Sequence, residues 1–355
     1  MILKTVLLFP QAKTEENFYL GNLTKTISDK FRVVGMDQVL RGHLGAFFAA
    51  KICHLNWLEN IRGNNGLRCL LNFIFRLGFL CCLKIFQKKI VWTVHNKVAH
   101  DQKRGRKYSK ILMKILMRWS DRIHILCSET IDEIPELKRF REKIFCIPHG
   151  DYFQNFGDGK IDIRVKYGIS QKTKIIFSTG KIGPYKNLEL LIDGFKKAKL
   201  SQSDFVLLIC GKCNDENYRK EIQKKIGACK SIITDFRFIE NDCMGDYLEQ
   251  SDVLATPYDI DSALNSGTLW MAFSYKTPML CPEIGCIRGN QNIKDCSFVY
   301  RYDSLESHFP ALCNTLESLK KETRESLAKK GNLAYSEMQQ RSWSAHRKEW
   351  ISLYD

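Results

Sequence analysis

The chain has 355 residues, enough for two domains, and an apolar share of 44%, ordinary for a folded protein. Eight prolines and no low-complexity run exclude long disordered linkers, and no short-period repeat is present. The net charge of +16 is uneven: residues 1–160 hold 27 basic against 14 acidic side chains, a net of +13, and the remainder 28 against 25. A basic first half points to an anionic partner (nucleic acid, acidic lipid headgroups or a phosphorylated substrate) or simply to a solvated basic surface.

The opening run to Phe9 is too short for a signal peptide and reads as a strand over Thr5–Phe9. A helix over Asn17–Asp29 and a strand over Phe31–Val34 follow. The segment 67–86 is strongly apolar but is interrupted by Arg68, Arg76 and Lys84. Charge inside a membrane span is costly, so the two expectations are an interfacial helix and a buried connecting helix. Lys89–Val94 is a strand, Ser109–Arg118 a helix, and Arg122–Cys127 and Lys143–Ile147 are strands. This alternation predicts a doubly wound α/β domain over 1–155.

Residues 151–172 are polar and glycine-bearing, and the boundary is placed there. A second alternating domain is expected over 156–340, with strands at Lys174–Phe177, Phe205–Ile209, Phe236–Ile239, Val253–Thr256 and Met279–Cys281. A long helical region runs from about Leu312 to Tyr354, its last part (341–355) forming a terminal helix.

Fourteen cysteines follow no disulfide-scaffold spacing. Several (Cys69, Cys81, Cys82, Cys127, Cys210) lie in apolar runs, where a thiol behaves as a small hydrophobe. A reduced, cytosolic chain is expected. Cys210-x-x-Cys213 lacks a clear matching second pair, and no metal site is expected.

The most telling stretch is Phe177-Ser-Thr-Gly-Lys-Ile-Gly-Pro-Tyr-Lys-Asn187. A strand ends in a loop with Gly180, Lys181, Gly183 and Lys186, and the loop opens a helix with Leu188, Leu191, Ile192 and Phe195 on one face. Glycine permits close backbone approach, a helix start offers unpaired N–H groups, and two lysines add full charges. The stretch is a candidate diphosphate clamp, although it has neither P-loop nor dinucleotide-fingerprint spacing.

Four further features follow in order: Val206–Gly211, Arg237–Asp242, Tyr247–Tyr258 and Ser262–Pro278. With the loop, they resemble the C-terminal domain of nucleotide-sugar glycosyltransferases of the GT-B fold, most closely the glycosyl transferases group 1 family. The likeness covers most of 174–282. It implies two Rossmann-like doubly wound α/β domains facing a cleft, with the terminal helix crossing back to the first. It also implies that Gly180, Lys181, Lys186 and Asn187 grip the donor diphosphate, with lysine at 181 where arginine is usual. Phe238 and Ile239 would lie by the nucleotide base, and Ser266, Gly267 and Thr268 by the phosphates. The landmarks Cys127-Ser-Glu129 and Ile147–Tyr152 support it in the first half.

The pair of glutamates often carried by the family falls here on Ala263 and Met271, which puts the associated retaining chemistry in doubt. Catalytic candidates are His95 and Asp101, with His100 beside them, in the segment after the strand 89–94. Glu15 and Glu16 are weaker base candidates. The resemblance implies sugar transfer from a nucleoside-diphosphate sugar without metal or other cofactor. The acceptor would be a lipid-linked or membrane-surface glycan, met by a peripheral enzyme on the inner face of the membrane. Alternatives are a sugar-nucleotide epimerase of the same fold and a non-catalytic basic protein that binds nucleic acid.

Overall fold

The computed structural model describes residues 3–10, 17–97, 104–157, 159–260 and 263–355. The chain divides into two compact units. The first comprises Met1–Gly150, Asp261–Gly267 and Arg341–Asp355, and the second Asp151–Ile260 and Thr268–Gln340.

The first unit is built on six parallel strands: β1 Lys4–Phe9, β2 Phe31–Gly35, β3 Ile52–Asn56, β4 Lys89–Val94, β5 Arg122–Ile125 and β6 Ile144–Cys146. Their order is β2-β1-β3-β4-β5-β6. The chain winds outward from β1 first one way and then the other, so the strand order reverses between β1 and β3. Strands of such a sheet are covered on both faces, which is why Val6, Leu7, Ile90, Val91 and Trp92 are all inaccessible. The terminal segment belongs to this core: Trp343, Trp350, Leu353 and Tyr354 pack with Val6, Leu8 and Leu20. An indole as buried as that of Trp350 is worth roughly 3–5 kcal/mol to its domain.

Helix Gly66–Ile85 starts on Asn65, whose side chain accepts from the Arg68 N–H at 2.9 Å. It docks through Cys69, Leu80 and Leu83.

The second unit repeats the plan with β7 Lys174–Thr179, β8 Phe205–Cys210, β9 Ile232–Asp235, β10 Val253–Ala255, β11 Met279–Pro282 and β12 Phe298–Tyr300. All neighbours are parallel, in the order β12-β11-β10-β7-β8-β9, so the reversal here lies between β7 and β10.

Three expectations need correction. The strand expected at Phe236–Ile239 lies earlier, at Ile232–Asp235, because the Asp235 carboxylate accepts from the backbone N–H and the guanidinium of Arg237 and turns the chain. The single helical region near the end is three helices, Leu305–Leu319, Arg324–Gln340 and Arg347–Ser352. Strands β3 and β12 were not anticipated.

Candidate active site

In open parallel sheets a ligand sits beyond the carboxyl ends of the strands, where the strand order reverses. Each unit has one such point.

In the second unit the loop after β7 lies at this point. Gly180 has φ +103°, open to glycine alone at little cost. Just beyond the last β7–β8 pair, Thr179 with Cys210, the backbones of Gly180 and Gly211 touch: a Cβ on Gly211 would stand 2.0 Å from the Gly180 carbonyl oxygen. Gly211→Ala is therefore expected to push the loop off its strand. On the sequence expectation of a diphosphate clamp, nucleotide binding, followed by calorimetry, should fall at least tenfold while the far-ultraviolet circular dichroism keeps its shape; unchanged binding would show the loop to be unimportant. The loop is also pinned by Ile182 N–H donating to Lys212 O at 2.9 Å.

A short helical turn, Pro184–Lys186, then leads to Asn187, which takes φ +51° and donates from Nδ2 to Pro257 O at 2.8 Å. That bond ties the loop to the residues after β10, the neighbour of β7. Helix Leu188–Lys197 follows, and the N–H groups of its first turn point out of its start.

Lys186 lies folded into this loop with 5% of its surface exposed. Its Nζ donates to Thr179 O at 2.8 Å and stands 5.7 Å from the Tyr258 ring centroid. Among the described residues no carboxylate pairs with it. A buried ammonium has three protons to place and a full charge to balance, and here only one carbonyl is supplied. Lys181 is exposed on the same loop. The hydroxyls of Ser178, Thr179 and Thr256, at the ends of β7 and β10, are buried with no partner among the described residues.

Phe238 is 59% exposed and Ile239 is buried, in the irregular segment between β9 and helix Asn241–Glu249. Ser266 is buried, and Gly267 and Thr268 open helix Gly267–Ser274. Ala263 is buried and Met271 half-buried, and neither side chain ionises.

In the first unit, His95 follows β4 and is buried. Its ring stacks on Trp57 at 4.0 Å and meets Tyr19 edge-on at 5.1 Å. Nε2 lies 2.9 Å from Asn56 Oδ1, and Asn56 Nδ2 donates to Phe9 O, which orients the amide. With Asn56 Oδ1 as acceptor, Nε2 carries the proton and Nδ1 keeps the lone pair. Burial, reinforced by the imidazoles of His124, His149 and His54, holds His95 well below the usual histidine range. It is a neutral hydrogen-bond acceptor and a weak base. Asp101, His100, Glu15 and Glu16 lie outside the described residues.

Sequence reasoning missed Asn56, Trp57 and Arg76. They line a cavity of about 470 Å3 with Phe9, Pro10 and Asn96, at the ends of β1, β3 and β4. The Arg76 guanidinium donates to Trp57 O and Leu58 O, and Arg62 stands at the cavity wall. Trp57 has φ +53°, rare for a bulky side chain, the kind of local strain that gathers at ligand sites. The only hint in the sequence is an Asn-Trp pair closing a short apolar run.

Behind these groups runs a buried chain of hydrogen bonds. Tyr354 OH is 2.6 Å from His54 Nδ1, His54 Nε2 is 2.6 Å from Thr93 Oγ1, Thr93 Oγ1 is 3.0 Å from His124 Nδ1, and His124 Nε2 is 2.9 Å from Ile147 O. Burial holds both rings below the usual histidine range, so both are neutral. Since the carbonyl can only accept, His124 Nε2 then donates to it and every donor in the chain points the same way.

Residues 159–261 match the family described as glycosyl transferases group 1. No curated protein matches the sequence. HepE of Anabaena, solved with UDP and glucose, is similar in fold at 12% identity and a TM-score of 0.72, with 99% of each chain covered. Sucrose-phosphate synthase of Thermosynechococcus elongatus gives 12% and 0.73, with 99% of this chain and 98% of that one covered. The UDP-forming α,α-trehalose-phosphate synthase of Burkholderia vietnamiensis gives 10% and 0.66, over 99% and 97%. The fold is thus the GT-B fold of two Rossmann-like α/β units, and the chain resembles the glycosyl transferases group 1 family through its second unit.

Proposed function

We propose that this chain is a metal-independent glycosyltransferase that moves a hexosyl group from a nucleoside-diphosphate sugar to an acceptor hydroxyl. The observation that carries the reading is Lys186, a buried ammonium with no counter-charge among the described residues, on a glycine loop that opens a helix. A diphosphate supplies the missing charge and the missing acceptors together. As the bond between the sugar C1 and the phosphate oxygen breaks, the electron pair leaves with the diphosphate. Lys186, Lys181 and the helix start meet that growing charge. The acceptor oxygen forms the new bond to C1 and passes its proton to the departing diphosphate, so the second product is the nucleoside diphosphate.

The acceptor is assigned to the first unit, in the cavity walled by Asn56, Trp57, Arg62 and Arg76. His95 Nδ1 holds a sugar hydroxyl, and its low basicity suits it to positioning rather than to taking a proton. A lipid-linked or membrane-surface glycan fits the basic first half. Fourteen cysteines without a disulfide-scaffold spacing, many of them in apolar runs, fit a reducing compartment and the cytoplasmic side of the membrane.

The structures of HepE with UDP and with UDP-glucose make uracil the first base to test. A thermal-shift screen of UDP, GDP, ADP, CMP and dTDP without divalent metal is expected to show one nucleotide raising the melting temperature by several degrees at saturation. No shift with any of them would remove the donor assignment.

A further inference from the structure

A broad apolar helix face that its own domain leaves uncovered belongs against another protein surface or in lipid. Gly66–Ile85 has 20 residues, and only 17% of its most apolar window is covered by the protein. At 3.6 residues per turn its inner face carries Cys69, Leu80 and Leu83. The outer face carries Leu67, Leu70, Leu71, Ile74, Phe75 and Ile85, all exposed, Phe75 to 68%. The patch continues off the helix. Phe86 packs edge-on against Phe47 and Phe48, each at 5.5 Å, and Phe48 and Leu44 are exposed beside it.

Charge decides what covers this surface. Arg68 and Lys84 sit at the two borders of the apolar stripe, and Arg41, Lys51 and Arg62 are exposed in the same unit. Among the described residues, Lys84 alone of the two border residues has an acid near, Asp121 at 3.7 Å. A second copy of the chain would bring two sets of like charges together. A layer of acidic lipid headgroups over hydrocarbon matches both the stripe and its borders.

We propose that the outer face of Gly66–Ile85, with Phe48 and Phe86, is a monotopic docking surface for an anionic lipid leaflet, lying in the headgroup region and not crossing the bilayer. The helix that bears this face also bears Arg76, which lines the cavity at the strand ends. A lipid-anchored acceptor held in the same leaflet would then reach that cavity by lateral diffusion. This last step alone rests on the function proposed above; the lipid contact stands on its own residues.

The experiment is co-flotation of the full chain with vesicles of phosphatidylcholine alone and of phosphatidylcholine with 30% phosphatidylglycerol. At least tenfold more protein should float with the anionic vesicles, and the excess should fall with added salt. Leu71→Ser/Phe75→Ser should cut flotation at least tenfold with its melting temperature and nucleotide-induced shift unchanged. Arg68→Glu, on the border, should weaken flotation without touching the apolar face. Equal flotation of the double variant, or none by the parent chain, would overturn the proposal. So would a concentration-dependent dimer in sedimentation that the double variant abolishes, since a second copy would then cover the face. Nucleotide shifts in the parent chain without flotation would reject the docking surface and leave the donor assignment in place.

Discussion

Lys186→Met is expected to abolish sugar transfer and at the same time to stabilise the free protein. The Nζ group is buried, donates to one carbonyl, and has no acid among the described residues. Removing a preorganised charged donor from a leaving group costs on the order of 100- to 1,000-fold in rate. The same charge is a burden when no diphosphate is bound, because burying an ammonium carries a desolvation penalty that one carbonyl does not offset. Methionine fills nearly the same volume without the charge. About 1–3 kcal/mol of added stability should raise the melting temperature by several degrees. Lys181→Ala, on the exposed part of the loop, should cost no more than about tenfold, since solvent screens that charge. Kinetics and calorimetric titration with the preferred nucleotide check both. An unchanged nucleotide dissociation constant in Lys186→Met would end the clamp assignment.

Acid should unfold the first unit before the second. Burial pushes His124 and His149 down to about 4 from an ordinary value of 6.5, and holds His54 and His95 well below their usual range as well. Between those values the unfolded chain binds protons that the folded one refuses, so stability is fully present above about pH 6.5 and is lost as pH falls toward 4. Each of His124 and His149 accounts for on the order of 3 kcal/mol across that window. Glu59 runs the other way. Burial pushes its carboxyl up to about 7 from 4.5, so the folded state takes that proton first and gains from mild acid. One group against four leaves a net loss of several kcal/mol, comparable with the whole stability of a domain. Melting curves at constant ionic strength from pH 7.5 to 4.5 should show the transition of the first unit moving down steadily. A melting temperature flat between pH 6.5 and 4.5 would show that these rings carry protons in the folded state.

The donor loop was legible in the sequence because its chemistry is local. A strand, two glycines, a proline and two lysines announce their backbone and charge within eleven residues. The strands whose residues are mostly apolar, such as Lys89–Val94 and Phe205–Cys210, were legible for the same reason. Strand β3 was not. His54 and Asn56 interrupt its apolar run, and the groups that make them tolerable in a core are far off: Tyr354 lies 300 residues from His54, and His95 lies 39 from Asn56. No local pattern encodes such a partner. Lys186 could be named as a charge on a loop, but its burial depends on the fold of Tyr258 and Thr179 around it. For Gly66–Ile85 the two sequence expectations were opposed: Cys69, Leu80 and Leu83 are buried, as a connecting helix requires, while the opposite face is exposed and is where the docking proposal starts.

The place of Trp343, Trp350 and Tyr354 in the first unit sets an order on biosynthesis. A ribosome releases residues from the amino end, and domains commonly fold as they emerge. Here the second unit lacks nothing once Gln340 is out, whereas the first waits with part of its core unfilled until the last aromatic residue clears the exit tunnel. The unit made first is finished last. During that interval the nascent chain exposes the aromatic seat around Val6, Leu8 and Tyr19, the stretch where a chaperone has most to protect.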